Sequence, residues 1–158
     1  MKIEYQHYCC IPEHEILEGI LDVHKVIFGT IDGLTEKMQN KPHLLFTVVY
    51  AESKVIGYKI GYELTHEKFY SWLGGVHPDY RNLGIASTLM DVQHRYLEKE
   101  GYKSVQTKTL NKWRSMLILN IKCGFDITET YIDRHGQLKI VLEKELSKGR
   151  KDEESHQL

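Results

Sequence analysis

The chain lacks an excess of charge of either sign, a long apolar run and a usable set of cysteines, and each absence removes a class of function. Its 158 residues carry 21 Lys and Arg against 22 Asp and Glu, a formal net charge of −1. Such a balance offers no global attraction to a phosphate backbone, so nucleic acid is not an expected partner. No apolar run approaches the roughly 18 residues that a membrane span needs. The opening MKIEYQHYCC has acidic and polar residues where a secretory leader needs an apolar core. A soluble, cytoplasmic protein with no membrane partner is the expectation. The three cysteines agree, because an odd count with Cys9 beside Cys10 makes a poor disulfide framework. His7, Cys9 and Cys10 could donate to a metal, but strand alternation sends the two cysteines to opposite faces. No CxxC or HxxxH pair supports them, and no metal is expected. Neither GxGxxG nor GxxxxGK[ST] occurs, and there is no internal repeat or interior linker.

What is present reads as one domain over residues 1–146, followed by a charged, apolar-poor and frayed tail at 147–158. KIEYQHYCC alternates as a first strand. From Glu13 to Phe28 apolar residues recur at helical spacing behind Pro12, and Gly29 ends the run. A short helix is expected over Leu34 to Gln39, broken by Lys41-Pro42. Two β-rich runs flank the polar turn Glu52-Ser53-Lys54, and a third, KFYSWLGGV, stops at His77-Pro78. Next comes an amphipathic helix with Leu83, Ala86, Leu89, Met90, Gln93 and Leu97 on its inner face, ending by Gly101. YKSVQTKTL is a strand, NKWRSMLILNIKCG a helix, and FDITETYI with LKIVLEKEL a hairpin around Asp133-Arg134-His135-Gly136. Antiparallel hairpins at both flanks of a strand-helix-strand crossover imply an α+β (mixed α/β) protein.

One segment carries chemistry: VHPDYRNLGIAS, Val76 to Ser87, lying between a strand and an amphipathic helix. If Asn82 or Arg81 opens the helix, the amides of Leu83, Gly84, Ile85 and Ala86 fall in its first turn, without intrahelical acceptors. Unpaired donors and the positive end of the helix dipole attract anions, and Gly84 has no side chain to hold a phosphate away. Arg81 adds a guanidinium fork that fits phosphate oxygens. Together these residues form a pyrophosphate cradle.

V-x-P-x-Y-R-N-x-G-I-A, from Val76 to Ala86, resembles the coenzyme A pyrophosphate signature of the GNAT superfamily of N-acetyltransferases. NKWRSMLILNIKCGF is similar to that family's later helix ending in Gly-Phe, here Gly124-Phe125. The element order resembles the family's over nearly the whole chain. The resemblance implies a twisted mixed sheet of about seven strands with about four helices. FYSWLGGV would splay from the strand Lys103 to Thr109, and the pantetheine arm of acetyl coenzyme A, the co-substrate, would lie in the gap. It further implies cofactor contacts from Gly75, Val76, Arg81, Asn82, Leu83, Gly84, Ile85, Ala86 and Ser87, with a backbone amide near Gly75 and Val76 polarising the thioester carbonyl. Gly74-Gly75 suits such close approach, or marks a simple bulge.

The implied reaction is direct acetyl transfer to a primary amine, of a small molecule or a peptide, and an amine of pKa about 10.4 must first lose a proton. Glu63 at a strand end is the first candidate for the base, with His66 and His77 behind it. Many relatives place a proton-donating tyrosine four residues before the Gly of Gly-Phe. Here that position is Asn120, which donates a hydrogen bond but is no acid. Asn120 is therefore an anchor for the thioester region or an ordinary helix residue, and Tyr131 or water could protonate the thiolate. Asn111 either faces the cofactor or caps the helix before Trp113. Ser71 and Trp72 point to opposite faces, and Asp22, His24 and Phe28 are available to an acceptor pocket. A homodimer would be unsurprising. The rival function is a non-catalytic acyl coenzyme A sensor, for which the missing tyrosine is the best support.

Overall fold

A computed structural model describes residues 1–146; the tail expected at 147–158 lies outside them. Seven strands form one sheet in the order β1-β2-β3-β4-β5-β7-β6. They are β1 Ile3–Tyr8, β2 Leu45–Ala51, β3 Lys54–Glu63, β4 Lys68–Val76, β5 Ser104–Thr109, β6 Asp126–Ile132 and β7 Leu138–Glu145. The helices are α1 His14–Phe28, α2 Leu34–Met38, α3 Ile85–Lys99 and α4 Arg114–Lys122. All neighbouring strands are antiparallel except β4 and β5. Two crossovers, β4-α3-β5 and β5-α4-β6, advance across the sheet in the same direction. Right-handed crossover therefore stacks α3 and α4 on one face. The opposite face is left for α1 and α2.

The apolar pattern of the sequence explains both layers. Ile20 and Val23 of α1, with Leu34 and Met38 of α2, bury against Phe46, Val48, Tyr58 and Ile60. On the other face Met90 and Leu97 of α3 pack on Val105, Phe125, Ile140 and Leu142, while Ile85 and Leu89 cover Val49, Ile56 and Val76. Each such fully buried aliphatic or aromatic side chain contributes about 1.5 to 3 kcal/mol. Strand β2 is apolar on both faces because both are covered. Gly29 closes α1 in the left-handed region at φ 85°, its N–H donating to the Lys25 carbonyl.

The boundaries depart from the sequence reading in several places, among them the start of α4, which is Arg114 and not the preceding Asn111-Lys112-Trp113. Glu13 is the residue before α1, and the first strand stops at Tyr8, so Cys9 and Cys10 sit in an exposed bend and not on opposite strand faces. Leu83 was expected on the inner face of α3 but lies ahead of the helix and is 58% exposed. The cause is backbone: Asn82 and Gly84 both adopt positive φ, 64° and 75°, which turns the chain before it can begin a helix.

One irregularity organises the sheet. The register of β3 and β4 shifts between Ile60 and Gly61, Ile60 facing Leu73 and Gly61 facing Ser71, which makes Trp72 an extra residue on β4. A Cβ on Gly61 would fall 2.3 Å from the Phe69 ring and 2.4 Å from the Tyr70 carbonyl oxygen, so the bulge closes only around a residue without a side chain. Gly61→Ala should therefore destabilise the protein by about 1 to 3 kcal/mol through overpacking. A urea-denaturation midpoint equal to the parent's would show that this contact yields freely.

Candidate functional site

β4 pairs with β5 only from Lys68 and Ser104 to Ser71 and Thr107. Beyond that row β4 continues along β3 to Val76, while β5 continues along β7 to Thr109. The sheet thus forks. The Thr107 hydroxyl donates to the Ser71 carbonyl at 3.0 Å and pins the apex. In the β3-β4 ladder, His77 N–H donates to the Ile56 carbonyl at 2.7 Å. Antiparallel alternation then directs the backbone groups of Gly75 and Leu73 to β3 and those of Gly74 and Val76 into the gap. Gly75 serves a different need. A Cβ there would lie 2.5 Å from Ile27 Cδ1, so its lack of a side chain lets the end of α1 close over β4. One residue on, Phe28 packs edge-on to Trp113 across the mouth, at 6.1 Å between ring centroids.

The segment after β4 builds the floor of that mouth. Pro78–Tyr80 forms one 3-10 turn, capped by His77 Nδ1 accepting the Asp79 N–H at 3.1 Å. The chain then turns through Asn82 and Gly84 into α3. Thr88 N–H is the first α3 amide to find an acceptor, the Gly84 carbonyl at 3.1 Å. That carbonyl also accepts the hydroxyls of Ser87 and Thr88, at 3.1 and 2.9 Å. Among the described residues the amides of Leu83, Gly84, Ile85, Ala86 and Ser87 donate to no protein group, and no side chain caps the helix. A Cβ on Gly84 would meet nothing within 4 Å, so the nest is open as well as unpaired. Arg81 beside it is exposed and makes no ion pair among the described residues. Unpaired first-turn amides at the positive end of a helix dipole are the kind of group that anions seek.

The layer between α3, α4 and the sheet is polar where a core is ordinarily dry. Lys59 of β3 lies opposite Gly74. Burial depresses its ammonium pKa to about 8, a shift only partly offset by Cys123 nearby. His94 Nδ1 of α3 accepts a hydrogen bond from Lys144 Nζ at 3.2 Å. Burial, with the charges of Lys144 and Lys59 behind it, pushes the imidazole down to about 2, so it is neutral at physiological pH. The Gln93 amide, His94 Nε2 and the Thr109 hydroxyl are buried without partners among the described residues. Asn120 of α4 is 4% exposed, and its backbone carbonyl accepts the Phe125 N–H at 3.0 Å.

The other candidates are scattered. Glu63 is on the α3 face at the closed end of the fork, where β4 and β5 are still paired. One carboxylate oxygen accepts the Tyr102 hydroxyl at 2.8 Å, and the other lies 3.9 Å from His43 Nε2. His66 is exposed in the turn between β3 and β4, away from the mouth. Asn111 is exposed in the turn between β5 and α4, and no side chain caps that helix. Asp22 is exposed on α1. His24 is buried beside Gly75's partner Tyr58, its Nδ1 bonded to the Tyr58 hydroxyl, and desolvation lowers its pKa. Tyr131 on β6 has the Lys108 ammonium 5.2 Å from its ring centroid. Sequence reasoning missed Lys59, His94 and Lys144, because their meeting depends on β3, α3 and β7 sharing one layer. The only available signal was polar residues at inward-facing positions. Among the described residues no three His, Cys, Asp or Glu side chains gather as a metal site, and no helix is long and apolar enough to cross a membrane.

A forked mixed sheet of this order, opening on an uncapped helix N-terminus, has the architecture of the GNAT acetyltransferases. The chain belongs to that family: the model described as an acetyltransferase (GNAT) domain matches residues 42–127, more than half of its length. By that membership it is an N-acetyltransferase. Among solved structures it is similar to the ribosomal-protein-S18-alanine N-acetyltransferase of Escherichia coli, at 15% identity and TM-score 0.75, over 91% of this chain and 95% of that one. A GNAT family acetyltransferase from Elizabethkingia anophelis with acetyl-CoA bound is 18% identical at TM-score 0.70, over 91% and 98%. The PaiA N-acetyltransferase of Thermoplasma acidophilum in complex with coenzyme A is 17% identical at TM-score 0.70, over 92% and 99%. No curated protein matches the sequence.

Lys59 makes stability depend on pH. Its folded-state pKa of about 8 lies below the ordinary lysine value of 10.5, so between those pH values the unfolded chain binds more protons and stability rises with pH. Below pH 8 the cost of burying the ammonium is fully present. Lys59→Met should abolish the rise and stabilise the protein at pH 7 by no more than about 3 kcal/mol. Guanidinium unfolding at a series of pH values would show it, and a parent whose stability is flat from pH 8 to 10 would contradict the assignment.

Proposed function

We propose that this protein transfers an acetyl group from acetyl coenzyme A directly to a primary amine. The observation that carries the reading is the row of unpaired amides from Leu83 to Ser87 at the mouth of the fork. Two of the similar structures hold acetyl-CoA or coenzyme A, which supports it. In this reading the amides of Leu83, Gly84, Ile85, Ala86 and Ser87 hold the pyrophosphate, with Asn82 and Gly84 supplying the left-handed turn that exposes them. Arg81 adds a charged fork to the phosphates. The pantetheine arm runs along β4 and pairs with the gap-facing backbone of Val76, while Gly75 admits α1 behind it. Asn111 flanks the cofactor at the mouth. Asn120 anchors the thioester region by a side-chain hydrogen bond.

The substrate amine, once neutral, attacks the thioester carbonyl carbon. The carbonyl oxygen becomes an oxyanion facing a backbone amide of β4, and the attacking nitrogen, now cationic, gives up a proton to water. The oxyanion collapses to the amide carbonyl as the carbon-sulfur bond breaks, and coenzyme A leaves as a thiolate that takes up a proton. Asn120 can stabilise that thiolate but cannot protonate it, so the proton comes from water or from a tyrosine such as Tyr131. The base proposed for the amine is Glu63. Its engagement with Tyr102 at the closed end of the fork means that it acts through water.

The missing tyrosine specifically favours one second reading, an acyl coenzyme A sensor. The two separate cleanly: a protein that binds acetyl-CoA yet releases no thiol with any of a broad amine panel is a sensor.

Arg81→Ala should weaken coenzyme A binding by about 1.5 to 3 kcal/mol, the scale of a charged hydrogen bond. Unchanged affinity by calorimetry would remove Arg81 from the phosphate site. Glu63→Gln should slow turnover at pH 7 by about a hundredfold and leave coenzyme A affinity unaltered. A pH-rate profile identical to the parent's would show that the proton goes elsewhere.

A further inference from the structure

On the α1 and α2 face, directly over the apex of the fork, lies a groove of about 180 Å³ lined by Tyr62, Leu64, Tyr70, Trp72, Gln106 and Lys108. Its floor spans the junction. Tyr70 and Gln106 form the last but one paired row of β4 and β5, Trp72 is the bulged residue, and Lys108 is the first position of β5 beyond the row that ends the pairing. A molecule seated here reaches the gap from the side opposite α3. The wall is aromatic: Tyr62 lies 5.4 Å from Tyr70 and 5.9 Å from Trp72 between ring centroids.

The rim is cationic. Lys41, just after α2, sets its ammonium 4.8 Å from the Tyr62 ring centroid and 5.1 Å from that of Trp72. Lys108 lies 5.2 Å from the Tyr131 centroid. Several other surface lysines have carboxylate partners, among them Lys68 with Glu143 at 2.7 Å and Lys103 with Glu67 at 3.2 Å. Lys41 and Lys108 have none among the described residues; aromatic faces alone hold them. Glu129, two residues before Tyr131, makes no ion pair with either. Among the described residues no carboxylate lines the groove.

We propose that this groove is the acceptor site and that it selects an amine which also carries a carboxylate and an apolar body, that is, an apolar or aromatic α-amino acid. The inference rests on the acetyltransfer reading above. The apolar body packs on Tyr62, Tyr70 and Trp72, the carboxylate draws the ammonium groups of Lys41 and Lys108, and the amine projects over the apex of the fork toward the thioester. A polyamine or an aminoglycoside would bring further positive charge against Lys41 and Lys108, and among the described residues the groove has no acidic group to receive it.

The test is a matched set of acceptors: phenylalanine, phenylalaninamide, phenethylamine and spermidine, each with acetyl-CoA and a thiol-release readout. Phenylalanine should exceed each of the others in kcat/KM by about tenfold or more, the range of one charge-assisted hydrogen bond. Lys41→Gln and Lys108→Gln should each reduce that preference through KM, with coenzyme A affinity by calorimetry unaltered. Equal or better use of phenethylamine, phenylalaninamide or spermidine overturns the inference and leaves acetyl transfer standing. Failure of coenzyme A to bind overturns the acetyltransfer reading itself, and this inference with it. Fluorescence of Trp72 in a Trp113→Phe background, with coenzyme A present, reads phenylalanine binding independently of turnover. A saturable change that the Lys41→Gln, Lys108→Gln double variant loses supports the site, and no change overturns it.

Discussion

Strand β4 has two neighbours and satisfies them unequally: it follows β3 to its end but keeps β5 for only four rows. A β-sheet ordinarily pairs its interior backbone throughout, since an unpaired buried amide or carbonyl costs free energy comparable to a lost hydrogen bond. Here the bulge at Trp72 turns β4 away while β5 stays with β7, so the backbone of Gly74 and Val76 faces a gap in the middle of the fold. The fork is stable because its two arms are fixed elsewhere. Each arm has a full ladder on its outer side, and the Thr107 bond to the Ser71 carbonyl holds the apex.

The functional geometry follows from that one defect. Since α3 starts where the bulged strand ends, its open N-terminus arrives at the mouth of the gap, and five unpaired amides are delivered beside the unpaired backbone of β4. Ordinary alternation puts Trp72 on the α1 face with Tyr70, and Tyr62 joins them over the apex. The anion nest and the aromatic groove thus lie at the same opening, one reached from α3 and the other from the opposite layer. A cofactor and an acceptor approaching from those sides would meet at the gap without competing for the same surface.

The polar layer beneath α3 is the less expected part of the molecule. Lys59, His94 and Lys144 share a space that excludes water well enough to hold His94 neutral and to bring Lys59 toward neutrality. Gln93, though at an inward position on an amphipathic helix, is fully buried, and among the described residues its amide has no partner. Burying polar groups without partners costs free energy, and this layer carries that cost.

Local chemistry was legible in the sequence wherever neighbours along the chain decide the outcome. Periodicity placed all seven strands and four helices, because the pattern of burial is written at spacings of two and of three to four residues. The run Arg81-Asn82-Leu83-Gly84 marked an uncapped helix start, and the structure has it there, with Asn82 and Gly84 in left-handed backbone ahead of α3. Only the tertiary structure decided which residues meet across the layers. It took Glu63, plausible as a strand-end carboxylate, to the closed end of the fork and against Tyr102. It put Leu83 in solvent by a left-handed turn, and it gathered Lys41, Tyr62, Trp72 and Lys108 into one groove from four separate segments. Those meetings depend on strand register and on a single bulged residue, which shift the face and partner of every side chain beyond them and leave no periodic trace in the sequence.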